Sequence, residues 1–148
     1  LELGTGSGLA TSWILDGMDR NSKLVTIENN KLLQDIARQH LPDERIEYVL
    51  ADGYDWIINY SGTRFDLVFA DPMPGKYDLF EETIAFVKKG GFYVIDDMLL
   101  QPNWPEGHAE RVEHFISALE KRNDLAITKM NWSTGIIIVT KIASQETV

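Results

Sequence analysis

The chain has 148 residues, with 23 acidic against 14 basic side chains and a formal net charge of −9. That balance disfavours nucleic acid as a partner, because phosphate backbones are bound through clustered Lys and Arg. The absence of cysteine excludes disulfides, thiolate metal sites and every mechanism that begins with a thiol adduct. No apolar run approaches the roughly 20 residues that a membrane-spanning helix needs, and the 44% hydrophobic, 25% charged composition predicts one compact domain over residues 1–148 of a cytoplasmic protein with no membrane partner.

Short β-branched or apolar runs alternate with longer amphipathic stretches, the pattern of a mostly parallel sheet with helices on both faces. A strand at 1–3 leads through glycines into a helix at 8–16. A strand at 23–28 is followed by a helix at 31–40, which Pro42 terminates. Then come a strand at 46–50, a helix at 54–59 and a strand at 65–70 that stops at Asp71-Pro72. A helix is expected over 79–88 with Gly90-Gly91 as its C-cap, then a strand at 92–96. After a Pro-containing loop and a helix at 105–121, strands at 125–131 and 136–142 are separated only by Trp132-Ser133-Thr134-Gly135. So short a connection predicts an antiparallel hairpin, since parallel neighbours need a crossover of a dozen or more residues. The first residue, Leu1, already stands inside a strand, so a further N-terminal segment is expected to precede it.

The run Leu1-Glu2-Leu3-Gly4-Thr5-Gly6-Ser7-Gly8 sets three glycines at alternating positions between a strand and a helix. Glycine there lets the backbone turn tightly and approach a ligand where a Cβ would clash. The dinucleotide fingerprint requires Gly or Ala three residues after the second glycine, and Leu9 holds that place, which disfavours NAD and FAD. A P-loop is excluded because no Lys-Ser or Lys-Thr follows. Glu28 ends the second strand twenty residues beyond Gly8, and Asp52 ends the third. Both carboxylates lie where parallel sheets bind ligands, beyond the carboxyl ends of the strands.

Glu2-Leu3-Gly4-Thr5-Gly6-Ser7-Gly8 resembles the acidic-x-Gly-x-Gly-x-Gly first motif of class I S-adenosylmethionine-dependent methyltransferases. The resemblance extends to the terminal hairpin. It implies a Rossmann-like three-layer αβα sandwich with a mostly parallel seven-stranded sheet ending in an antiparallel hairpin. It also implies S-adenosylmethionine as cofactor, held by Glu2, Gly4, Thr5, Gly6, Ser7, Gly8, Glu28, Asn29, Ala51, Asp52, Gly53 and Asp71. In the family the acid at Glu28 takes the ribose hydroxyls and the acid at Asp52 the adenine amino group. Tyr54 or Trp56 fits either an adenine wall or core packing.

Asp71 after the fourth strand and Asp96-Asp97 after the fifth fall where catechol and caffeoyl-coenzyme A type O-methyltransferases bind a divalent cation. That likeness implies methyl transfer to a hydroxyl of a small molecule, Asp71 and Lys76 as catalytic residues, and Asp71, Asp96 and Asp97 as ligands of Mg²⁺, Mn²⁺ or Ca²⁺. It also implies a homodimer. The pair is Asp-Asp where the family has Asp-Asn, and Lys76 stands five residues after Asp71 rather than three. The alternative to a metal is that Asp71 and Asp96 line the cofactor site while Asp97 caps a turn.

Two further readings stay open. Asp71-Pro72-Met73-Pro74 is similar to the Asp-Pro-Pro-aromatic motif of amino-group methyltransferases acting on protein or nucleic acid, with Pro74 in the aromatic's place. A domain of this fold can also bind the cofactor without catalysis. His108 and the loop 99–105 with Trp104 are candidates for the acceptor side, or ordinary surface and packing residues.

Overall fold

The computed structural model describes residues 1–142, so the last residues of the expected domain lie outside it. Its residues group into two compact units, Leu1–Ser61 and a second from Gly62 onward, described in turn.

The first unit contains β1 (Glu2–Leu3), α1 (Leu9–Gly17), β2 (Leu24–Glu28), α2 (Lys31–His40), β3 (Ile46–Leu50) and α3 (Gly53–Asn59). Its strands are parallel in the order β3-β2-β1, with Glu2 opposite Thr26 and Leu24 opposite Ile46. α2 begins where Asn30 accepts hydrogen bonds from the Leu32 and Leu33 amides at 3.0 and 3.3 Å, satisfying donors that a helix start leaves orphaned. Arg38 and His40 in its last turn suit the negative end of the helix dipole. Leu3, Leu24, Ile27 and Ile57 are buried to 2% exposure or less, each worth about 1.5–3 kcal/mol over an exposed position.

The second unit contains β4 (Phe65–Ala70), the short turn α4 (Met73–Lys76), α5 (Phe80–Ala85), β5 (Val87–Ile95), α6 (His108–Glu120), β6 (Leu125–Met130) and β7 (Ile136–Lys141). Its order is β4-β5-β7-β6, with β4 and β5 parallel and the β6–β7 hairpin antiparallel, as its four-residue connection predicts. Val68, Tyr93 and Val139 sit side by side across β4, β5 and β7, each fully buried.

The expected helix over 79–88 is corrected. α5 ends at Ala85, and Val87 already pairs with Phe65. The register then jumps to Leu67 opposite Phe92, so Lys88-Lys89-Gly90-Gly91 forms a bulge in β5 instead of a helix end and its cap. Backbone pairing of Val87 with Phe65 on β4 overrides the local helical pattern. α4 is another difference, since Pro72 before it and Pro74 within it gave no helical signal in the sequence.

Candidate functional site

In the first unit the parallel strands end at the glycine run, at Glu28 and at Asp52. The Gly4 and Thr5 amides both donate to the Ile27 carbonyl, at 3.0 and 3.1 Å, which fastens the run to the end of β2. Gly8, at φ 95°, lies so close to α2 that a Cβ would meet Ala37 and Leu41 side chains at 3.1 and 3.0 Å. At Gly6, by contrast, a Cβ would meet nothing within 4 Å. The loop is packed from behind and open in front.

Glu28 clasps this loop. Its Oε2 accepts from the Gly6 amide at 2.7 Å and its Oε1 from the Asn30 amide at 2.9 Å. Each carboxylate oxygen keeps a second lone-pair direction for a ligand hydroxyl. The Ala51 amide donates to the Glu28 carbonyl at 3.0 Å, bringing the ends of β2 and β3 together. Asp52 caps α3, its Oδ1 accepting from the Tyr54 and Asp55 amides at 2.8 and 3.2 Å. Ser7, Asn29 and Asp52 are exposed, and Gly53 opens α3. Trp56 stacks on Tyr60 with ring centroids 4.5 Å apart, which favours the packing role for that ring.

Glu2 stands behind the glycine run. Its side chain is fully buried. Its Oε2 accepts from Thr11 on α1 at 2.6 Å and from Thr26 on β2 at 2.5 Å. Thr26 spends its one proton there, so Thr5, 2.6 Å away, donates to Thr26. Glu2 therefore ties the glycine run, α1 and β2 together from behind. Thr5, likewise buried, acts through this chain of hydroxyls. Nothing in the spacing of Thr11 and Thr26 marks this network in the sequence. A carboxylate inside a buried strand, which must find donors, is the available signal.

In the second unit Asp71, Lys76, Asp96 and Asp97 come within electrostatic reach of one another. Lys76 is only 3% exposed, and no direct ion pair reaches it among the described residues. Its proximity to Asp71 despite the five-residue offset comes from a kink. Pro74 (ψ 132°) and Gly75 (φ 86°) leave helical geometry inside α4, and the positive φ at Gly75 is a conformation that glycine adopts without penalty. The Gly75 amide then donates to the Asp78 carbonyl at 2.7 Å, closing a tight knot around Lys76. Burial pulls the Lys76 ammonium below its ordinary pKa, while Asp71, Asp97 and Asp96 pull it back up. At Asp71 burial raises the pKa, Lys76 lowers it, and the like charges of Asp97 and Asp96 raise it further.

The expected metal triad is not gathered. Among the described residues no group of three or more His, Cys, Asp or Glu is placed to hold a metal ion. One oxygen of the Asp96 carboxylate is engaged, Oδ1 accepting from Thr134 at 2.9 Å and from the Asp97 amide at 2.7 Å. Asp97 itself has φ 57°. In this arrangement the three carboxylates are not gathered into a cation site, and no step below uses one.

Around Lys76 lies an aromatic cluster. Tyr77 meets His108 edge to face at 5.4 Å, with its hydroxyl 3.4 Å from His108 Nε2, and Trp104 packs on His108 at 4.7 Å. Burial and the charge of Asp97 push the Tyr77 hydroxyl up to about 12. His108 and Trp104 thus belong to one wall beside Lys76 rather than to open surface.

Residues 1–98 match the family model described as a methyltransferase domain. The chain belongs to that methyltransferase family. Among its curated relatives is the catechol O-methyltransferase of Mycobacterium tuberculosis, 28% identical over 104 residues, which cover 67% of this chain and 47% of the relative. This methyltransferase chain spans about half the length of the curated relatives it matches. Among solved structures it is similar to the O-methyltransferase TomG of Streptomyces achromogenes, involved in tomaymycin synthesis and solved with SAM (TM-score 0.82, 22% identity, covering 96% of this chain and 72% of that one). It is similar too to an O-methyltransferase of Bacillus cereus solved with SAH (TM-score 0.80, 19% identity, covering 95% and 72%). These likenesses bear out the expected Rossmann-like fold, with its mostly parallel seven-stranded sheet ending in an antiparallel hairpin. No helix among the described residues is long and apolar enough to cross a membrane.

Proposed function

We propose that this methyltransferase moves the methyl group of S-adenosylmethionine to a hydroxyl oxygen of a small molecule. The observation that carries the reading is Lys76, a buried amine of lowered pKa set among Asp71, Asp96 and Asp97.

S-adenosylmethionine supplies an electrophilic methyl on a sulfonium. The first unit supplies its cradle. The Gly6 face is open, Glu28 retains lone pairs for the ribose hydroxyls, and Asn29, Ala51, Asp52 and Gly53 border the same strand ends. The second unit supplies the acid–base chemistry. In its neutral form Lys76 accepts the proton of the acceptor hydroxyl as the oxygen bonds to the methyl carbon and the methyl–sulfur bond breaks. The proton then passes from Lys76 to water. A buried amine suits this task because burial draws its pKa below the ordinary lysine value and so eases loss of its proton. Asp71, as the largest electrostatic influence on Lys76 from a neighbouring charge, keeps that pKa from falling further.

The small-molecule acceptor, a cytoplasmic location and a homodimer are parts of the same proposal, and the net charge of −9 supports a partner other than nucleic acid. The test is an acceptor panel with S-adenosylmethionine, comparing catechol-like phenols with peptides and RNA. O-methylated phenols are the expected products. N-methylated peptide or RNA, or cofactor binding with no turnover on any acceptor, would overturn the proposal.

A further inference from the structure

Tyr93 lies in the middle of β5, fully buried, with Val68 and Val139 as its neighbours across the sheet. A phenolic hydroxyl in such a place costs stability unless it is hydrogen-bonded. The hydroxyl donates to the carbonyl of Gly75, with the Thr83 side chain also against it. Gly75 is the residue before Lys76 and the one whose φ of 86° turns the knot. Phe80 packs edge to face against the Tyr93 ring at 5.4 Å and against Phe115 at 5.2 Å, which confines the ring.

The rest of the knot is tied to neighbouring elements as well. The Tyr77 and Asp78 amides both donate to the Met73 carbonyl at 3.2 Å, and Arg111 of α6 reaches Asp78 at 3.2 Å. Those bonds hold the outer side. Tyr93 alone among these anchors approaches from the sheet, and it grips the peptide that leads directly into Lys76.

We propose that Tyr93 is a positioning residue for Lys76, its hydroxyl holding the Gly75 carbonyl so that the amine is kept buried at its working place. The proposal rests on the reading of Lys76 as the base, and Tyr93 touches no reacting atom. A side chain held by one short polymer knot is sensitive to such an anchor, because a displacement of about 1 Å at a catalytic group costs up to roughly a hundredfold in rate.

The test uses Tyr93→Phe in the full-length protein with two readouts. The first is acylation of individual lysines by acetic anhydride under native conditions, followed by mass spectrometry. Lys76 labelling is expected to rise about fivefold or more, because the knot opens locally, while the buried control Lys141, held by the Ile84 carbonyl at 3.1 Å, stays within about twofold. The second is methyl transfer, where kcat is expected to fall about tenfold with KM for S-adenosylmethionine within about twofold. Equal gains at Lys76 and Lys141 would mean general loosening, and unchanged labelling would mean no anchoring; either overturns the proposal. Raised labelling at Lys76 alone with kcat unchanged would uphold the anchoring and overturn Lys76 as the base. If Tyr93→Phe fails to fold, Gly75→Ala, which strains the same peptide without touching the sheet, is expected to give the same selective labelling.

Discussion

Replacing Glu28 with Ala removes the carboxylate that clasps the glycine run at Gly6. Its carboxylate accepts from the Gly6 amide at 2.7 Å and from the Asn30 amide at 2.9 Å. Hydrogen bonds to a charged partner contribute about 1.5–3 kcal/mol each, and the half-buried position of Glu28 places these at the low end. In the proposed complex the same oxygens take two ribose hydroxyls. Losing that pair is expected to weaken S-adenosylmethionine binding by about 1.4–3 kcal/mol, a factor of roughly ten to a hundred. Glu28→Gln keeps one acceptor oxygen but turns an amide NH₂ toward a backbone donor, so its loss is expected to fall between wild type and Ala. Isothermal titration calorimetry with S-adenosylmethionine and S-adenosylhomocysteine on the full-length protein measures both. Dissociation constants within about twofold of wild type for both variants would refute the assignment of Glu28.

Lys76→Met is expected to lower kcat by about a hundredfold or more, as loss of a general base does, with S-adenosylmethionine affinity within about twofold. In wild type kcat should rise with pH as Lys76 loses its proton, and burial places that rise below the ordinary lysine range. Asp71→Asn removes a charge that favours the ammonium, so the rise should move to still lower pH; a shift upward in the pH–rate profile contradicts the coupling. Dialysis against EDTA is expected to leave the rate within about twofold, and a loss restored by Mg²⁺ would return Asp71, Asp96 and Asp97 to a metal site. Thr26→Val leaves Glu2 with a buried lone pair unmet and should cost about 1–3 kcal/mol in a urea denaturation.

The strand ends and their acids were legible because they follow local rules. β-branched runs bounded by polar breaks placed β3, β4 and α2 at their observed limits, and Pro42 marked a stop. Spacing drew out the glycine run and Glu28 at the strand ends, and the family resemblance implied their cofactor role. Long-range pairing was not readable. The 79–88 pattern suits a helix until Val87 finds Phe65, and only then do the glycines become a bulge. The place of Lys76 was hidden for a related reason. Its offset of five from Asp71 looks too long until Pro74 and Gly75 fold back. Tyr93 carries a fainter signal, a hydroxyl on an inward position of a central strand, which implies a partner without naming it.

The central claim is that Lys76 takes the proton of an acceptor hydroxyl, and it is tested most directly by single-turnover methyl transfer with wild type and Lys76→Met on two acceptors. One is catechol, protonated at neutral pH; the other is 4-nitrocatechol, already largely ionised there. The account predicts a rate loss of about a hundredfold on catechol that shrinks to a few-fold on 4-nitrocatechol, because an ionised acceptor needs no base. Equal losses on both acceptors would contradict it.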